Sequence, residues 1–161
     1  MTIHLLSADH RYQSLDEVAR LSRVDNLGPK LMRALPYLRG AVVVRTCNRL
    51  AILVDAPSRL TSSGQSGSDA APASSTRLGP DAAPADSAPA VADDVRAVLA
   101  HCVELSLEQV HLRHLAGHQA HLDLFATAAG LESMVVGERE IAGQLRRAFH
   151  AAWEEDTLSC D

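Results

Sequence analysis

The sequence predicts an α+β fold, a ferredoxin-like antiparallel sheet with helices on one face plus a C-terminal helix. Three observations carry that expectation. The ordered stretches run strand, helix, strand, strand, helix, strand and then more helix, which is the order of two split β-α-β units. A Pro/Ala/Ser-rich segment separates the two halves, and the last stretch shows a clean helical period.

Taken in order, Ile3 to Ala8 reads as a strand. Ser14 to Leu21 reads as a helix with Ser14 as N-cap and Glu17 three residues later, and Gly28 to Leu38 as a second helical stretch whose end Pro36 distorts. Ala41 to Arg45 and Leu50 to Val54 are two β-branched runs joined by Thr46-Cys47-Asn48-Arg49. That places Cys47 at a strand-to-strand turn.

From Pro57 to Ala90 the apolar periodicity gives way to Pro, Ala, Ser, Gly and Asp, and five of the seven prolines fall there. Such a composition buries too little apolar surface to offset the entropy of ordering it. The expected organisation is therefore one domain in two halves, 1–56 and 91–161, interrupted by a disordered insertion at 57–90. Beyond it, Val95, Val98, Leu99, Cys102 and Val103 lie at helical spacing, with Asp93 and Asp94 expected near the helix start, where acidic groups suit the dipole. A short strand from Val110 to Leu115 follows, then a helix from Gln119 to Ala129 turning Leu122, Phe125 and Ala129 inward. The final helix, Glu138 to Glu154, places Ile141, Leu145, Ala148, Phe149 and Ala152 on one face.

Composition bounds the function. In 161 residues there is room for one sizeable core, and with only 3% aromatic residues Ala, Val and Leu must build it. A net charge of -5 argues against holding nucleic acid by bulk phosphate neutralisation, so any contact with it must be local. Cys47, Cys102 and Cys160 form neither a metal-ligand spacing nor a disulfide framework, and the eight histidines do not cluster with them, so no metal site is expected. The absence of a signal-peptide pattern or a long apolar run points to a cytoplasmic protein with no membrane association.

Cys47 is the chemical candidate. A thiol on a turn after a buried strand, flanked by Arg45 and Arg49, is placed for thiolate formation, and Thr46 and Asn48 offer hydrogen bonds to an acyl group or an oxyanion. The plainer alternative is a small apolar residue at a strand end.

Arg45-Thr46-Cys47-Asn48-Arg49 resembles the Ser/Thr-Thr-Cys-Asn-Arg motif of glutamyl-tRNA reductases. Ala129-Gly130-Leu131-Glu132-Ser133-Met134-Val135-Val136-Gly137-Glu138, followed by Ile141-Ala142-Gly143-Gln144, resembles that family's Gly-Leu-Asp-Ser-x-x-x-Gly-Glu and Ile-Leu-Gly-Gln signatures. Ser7-Ala8-Asp9-His10-Arg11 is a weaker echo of its Gly-x-Asn-His-Lys. The resemblance implies the N-terminal, catalytic domain of such an enzyme, in which the thiolate takes glutamate from glutamyl-tRNA as a thioester that NADPH then reduces to glutamate-1-semialdehyde, opening tetrapyrrole synthesis.

Carried over residue by residue, the resemblance makes Cys47 the nucleophile. Thr46, Asn48 and Arg49 become substrate contacts, with Arg49 suited to the substrate's side-chain carboxylate, and Ser133, Glu138 and Gln144 become further contacts. Glu138 and Gln144 are equally open to reading as helix caps and surface residues. The family's histidine falls in register with His114 only if one residue is inserted, because an ungapped alignment puts Leu115 there; His118 competes. There is no G-x-G-x-x-G, so the NADPH-binding domain and the helical dimerisation region of the family, a homodimer in its full-length form, are expected to lie outside these 161 residues. Two rival readings remain. One is a non-catalytic module that binds tRNA or a partner through Arg139, Arg146 and Arg147, and the other is a generic Cys/His acyl hydrolase.

Overall fold

A computed structural model describes residues 2–57, 88–131 and 140–158. Strand β1 (Thr2–Asp9) is followed by helices α1 (Leu15–Ser22) and α2 (Leu27–Ala34), the hairpin β2 (Gly40–Arg45) and β3 (Arg49–Ala56), and helix α3 (Ala88–Cys102). A 3-10 turn (Leu107–Gln109) leads into β4 (Arg113–Ala116), then α4 (His118–Ala128) and α5 (Glu140–Glu154). The strands order as β2-β3-β1-β4, and every neighbouring pair is antiparallel. This α+β arrangement is the expected one.

Local chemistry explains the element ends. Ser14 closes a full capping box with Glu17, accepting from its backbone N–H while the Glu17 carboxylate accepts from Ser14 N at 2.9 Å. Those bonds hold the exposed Glu17 carboxyl below its ordinary pKa. Helix α2 stops at Ala34, two residues before Pro36, as the conformational restriction ahead of a proline requires. Helix α3 begins at Ala88, so Asp93 and Asp94 lie mid-helix and not in its first turn. They serve side-chain partners instead: Asp93 pairs with Arg96 at 3.1 Å, and Asp94 accepts from the Tyr37 hydroxyl at 2.6 Å. The insertion assigned to 57–90 lies, apart from Pro57 and the start of α3, outside the described residues.

Both faces of the sheet are covered. Leu6, Ala8, Leu50, Ile52 and Val54 pack against Val18 and Leu21 of α1, Leu27 and Leu31 of α2, and Val95 and Leu99 of α3. The alternate residues Leu5, Val42, Val44, Ala51 and Leu53 pack against Ala120 of α4 and Ile141, Leu145 and Ala152 of α5. Because β1, β2 and β3 are apolar on both sides, a single layer of helices would leave one side wet, and α4 joins the C-terminal helix on the second face. The inward side of α4 departs from expectation: Leu122 is 50% and Phe125 69% exposed, while Ala120 and Thr127 are buried.

Candidate active site

The β2–β3 hairpin places Cys47 at its tip. Thr46 N donates to Arg49 O at 2.9 Å, closing the loop around Cys47 and Asn48, and the Thr46 hydroxyl lies 2.9 Å from Asn48 Oδ1. Among the described residues the non-glycine positions with positive φ are Asn26, Glu104 and Asp156, so this hairpin closes without the left-handed backbone of the primed turns. From the neighbouring strand, His10 N donates to Asn48 O at 3.1 Å and fixes the peptide next to the thiol. Cys47 itself is exposed. A rigid tip therefore presents a reachable sulfur.

The two arginines beside it do not act as a flanking pair. Arg45 is paired with Leu50 in register, on the α1–α3 face, and its Nη2 donates to Val24 O at 2.5 Å. Arg49 points to the opposite face and is buried there. Its Nη2 lies 3.4 Å from Asp9 Oδ2, its Nη1 lies 3.9 Å from Asp123 Oδ2, and Nη1 also donates to the Thr127 hydroxyl. Asp123 in turn binds Arg113 at 2.8 Å, and Asp9 binds Arg11 at 3.2 Å.

Among the described residues, the guanidinium groups of Arg11, Arg49 and Arg113 thus gather around the carboxylates of Asp9 and Asp123. Burial pushes the Asp9 carboxyl up, but the hydrogen bonds from Arg11 and the charges of Arg11 and Arg49 outweigh it and hold the group below the usual carboxylate range. Asp123 and Thr127 stand four residues apart on one face of α4, which is why that face buries polar groups where apolar ones were expected. That i, i+4 spacing of an acid and a hydroxyl was the signal available in the sequence. It went unused.

The described start of the second motif block lies at this same end. Thr127 reaches Arg49 one residue before α4 ends, and Gly130, at φ +73, opens the Gly-Leu-Glu-Ser block. Ser133 and Glu138 lie outside the described residues. Helix α5 packs on β2, and its C-terminal end is pinned at Ala41, whose N–H donates to Thr157 O at 2.7 Å. Its first turns, with Gln144, therefore lie toward the Arg45 end of β2. Gln144 Oε1 is buried there without a hydrogen-bond partner.

Neither His114 nor His118 is brought to Cys47. His114 sits on β4 opposite Leu6, with β1 and β3 between its strand and the hairpin tip, roughly 10 Å or more across the sheet. Its ring faces the α1–α3 side and stacks on His4, with centroids 5.3 Å apart and Nε2 3.0 Å from His4 Nδ1. Burial holds the His114 pKa down, against the opposing charge of Asp93, and burial together with His114 lowers His4 to about 4. These imidazoles are a neutral packed pair. His118 opens α4 next to Gly117, which donates to Ile3 O. That is the far end of β1, about 20 Å from Asp9 at about 3.3 Å per residue.

Comparison with known proteins agrees with this arrangement of motifs. Residues 6–160 match a family described as Glutamyl-tRNAGlu reductase, N-terminal domain. The chain is 39% identical over 162 residues to the glutamyl-tRNA reductase of Micrococcus luteus, covering 99% of this chain and 30% of that protein. It is 34% identical over 155 residues to that of Cutibacterium acnes, covering 96% and 29%. Among solved structures, the glutamyl-tRNA reductase from Methanopyrus kandleri superposes with a TM-score of 0.63 at 20% identity, covering 97% of this chain and 29% of that one. The last is a likeness of fold. The chain thus spans about 30% of the length of the curated relatives it matches.

Proposed function

Because the chain belongs to the glutamyl-tRNA reductase family as its N-terminal domain, we propose that it is the part that accepts glutamate, with Cys47 as the nucleophile that forms a glutamyl thioester. The observation that carries this reading is the exposed Cys47 on a tip whose neighbours are each held in place, at the end of the sheet where α4 hands over to the Gly-Leu-Glu-Ser block. A thiolate there attacks the ester carbon of glutamyl-tRNA, and the ribose hydroxyl leaves. Thr46 and Asn48 would line the acyl group. The guanidinium groups of Arg49, Arg11 and Arg113 would favour the substrate's carboxylate, and Ser133, Glu138 and Gln144 complete the proposed contacts.

Reduction by NADPH belongs to the proposal for the whole protein. The described residues do not fit the cofactor: their sheet is antiparallel throughout, whereas a dinucleotide fold needs parallel strands and a Gly-rich turn. Derived from these residues alone, the chemistry ends at acyl transfer and slow hydrolysis of the thioester. Dimerisation of the full-length protein and a cytoplasmic location are part of the same reading.

The test is discharge of the tRNA. The chain should release free tRNA from glutamyl-tRNA faster than buffer does, and Cys47→Ala should remove that gain. A chain that binds glutamyl-tRNA equally well with and without the thiol, and discharges it no faster than buffer, would instead be a binding module acting through surfaces such as the exposed Arg146 and Arg147. A chain that hydrolyses simple thioesters and ignores the tRNA would be a generic acyl hydrolase.

A further inference from the structure

The face of the sheet under α4 and α5 also holds a buried acid that the hairpin site does not use. Asp55 stands at the opposite end of β3 from Arg49, roughly 20 Å from it at about 3.3 Å per residue. Its side chain shares a face with Leu53, two positions earlier in the strand, which packs in the core beneath α4 and α5. Asp55 is 6% exposed, and both carboxylate oxygens are buried without a hydrogen-bond partner. The sheet offers it none: its cross-strand neighbours are Ile3 of β1 and Gly40 of β2, and the diagonal positions carry Leu5 and Val42. A carboxylate withdrawn from water with no donor beside it works against folding, and native chains keep few such groups.

The surroundings of Asp55 suggest what it is kept for. It borders a cavity of about 280 Å³ between the sheet and the two helices, lined by Val42, Leu53, Leu124 and Leu158, with the exposed Phe149 and His121 at its rim. Apart from Asp55 and His121 its walls carry apolar side chains. An apolar cavity of roughly 150 Å³ takes up benzene, so this volume has room for one ring and a short arm. A buried acid, an aliphatic wall and an aromatic rim complement a molecule with a cationic end and an apolar body.

We propose that this cavity binds a small organic cation, a primary amine on an apolar body the size of one aromatic ring, whose ammonium donates to the Asp55 carboxylate while the ring packs on Leu124 and Phe149. An anion of the same shape is repelled, and a neutral molecule gains less from the acid. The site lies at the other end of the sheet from Cys47 and stands independently of the acyl-transfer reading.

The probe is 2-phenylethylamine, titrated at neutral pH into the isotope-labelled 161-residue chain, with 2-phenylethanol and phenylacetate as its neutral and anionic counterparts. The NMR readout is the amide shifts of Val42, Leu53 and Asp55. The amine should move them saturably and bind roughly tenfold more tightly than the alcohol, with phenylacetate weaker still. In Asp55→Asn, which removes the charge and keeps the shape, amine and alcohol should bind alike. An amine that binds no better than the alcohol or phenylacetate, or as well to Asp55→Asn as to the unaltered chain, overturns the proposal, as does the absence of any shift at millimolar amine. Should Asp55→Asn fold poorly, proton–proton contacts between ligand and unaltered chain decide. The methylene next to the nitrogen should lie against the Asp55 Cβ protons and the ring against Leu124 and Phe149; the opposite orientation, or contacts elsewhere, overturns the assignment. Shifts of the same amides that follow protein concentration without amine mean that a second copy fills the cavity, and the small-molecule site falls.

Discussion

Arg49 and Asp9 meet at 3.4 Å with side chains only 6% and 1% exposed, cross-strand partners at the last register position of β1 and β3. A buried guanidinium tolerates this position because carboxylates and a hydroxyl surround it. Removing one carboxylate should therefore cost more than removing a surface charge. Asp9→Asn keeps the shape and deletes the charge, and should lower stability by about 3 kcal/mol, read as a shifted urea midpoint with unchanged slope. Because the Asp9 pKa is depressed in the folded chain, its stabilisation is present above the unfolded carboxylate value and is lost as pH falls through the folded one. The Asn variant should lack that part of the acid transition.

The His4–His114 stack predicts a second pH effect in a different window. Both rings titrate lower in the folded chain than in an unfolded one, so the unfolded state binds more protons once pH falls below about 6.5. Stability should be full above that value and decline as pH falls toward the His4 value of about 4, by an amount on the order of 2–3 kcal/mol. Chemical denaturation at several pH values checks this. His4→Leu should flatten the profile between those limits, and a slope unchanged by the substitution would contradict the account.

Two backbone positions should be sensitive for local reasons. Ser14→Ala removes an N-cap that both gives and receives in the capping box and should cost about 1 kcal/mol. Gly117 joins β4 to α4 at φ 57 and ψ -129, a region essentially reserved for glycine. Nothing would obstruct an added Cβ within 4 Å, so the cost of Gly117→Ala should be backbone strain alone, about 1–3 kcal/mol by thermal or urea unfolding.

The strands and the order of elements were legible because β-branched runs, a capping box and a proline stop act locally. The capping box fell on Ser14 and Glu17 as the spacing indicated. What was not legible depended on which face of the sheet a residue takes. His114 and Leu115 differ by one position, and that single step decides whether a side chain joins the α1–α3 layer or the side that holds Arg49. Likewise Leu122 and Phe125 read as core by hydrophobicity, yet the inward face of α4 goes to Ala120, Asp123 and Thr127 because a buried arginine on β3 needs partners there. Cys47 was legible only through its motif, since a lone cysteine at a turn has no periodicity to betray it.

The account stands or falls on one sulfur. Glutamyl-tRNA carrying labelled glutamate, mixed with the chain and quenched in acid, should leave hydroxylamine-sensitive label on the peptide containing Cys47, and Cys47→Ala should leave none. Label that appears on another peptide, that survives the loss of Cys47, or that never forms while the chain remains folded would contradict it.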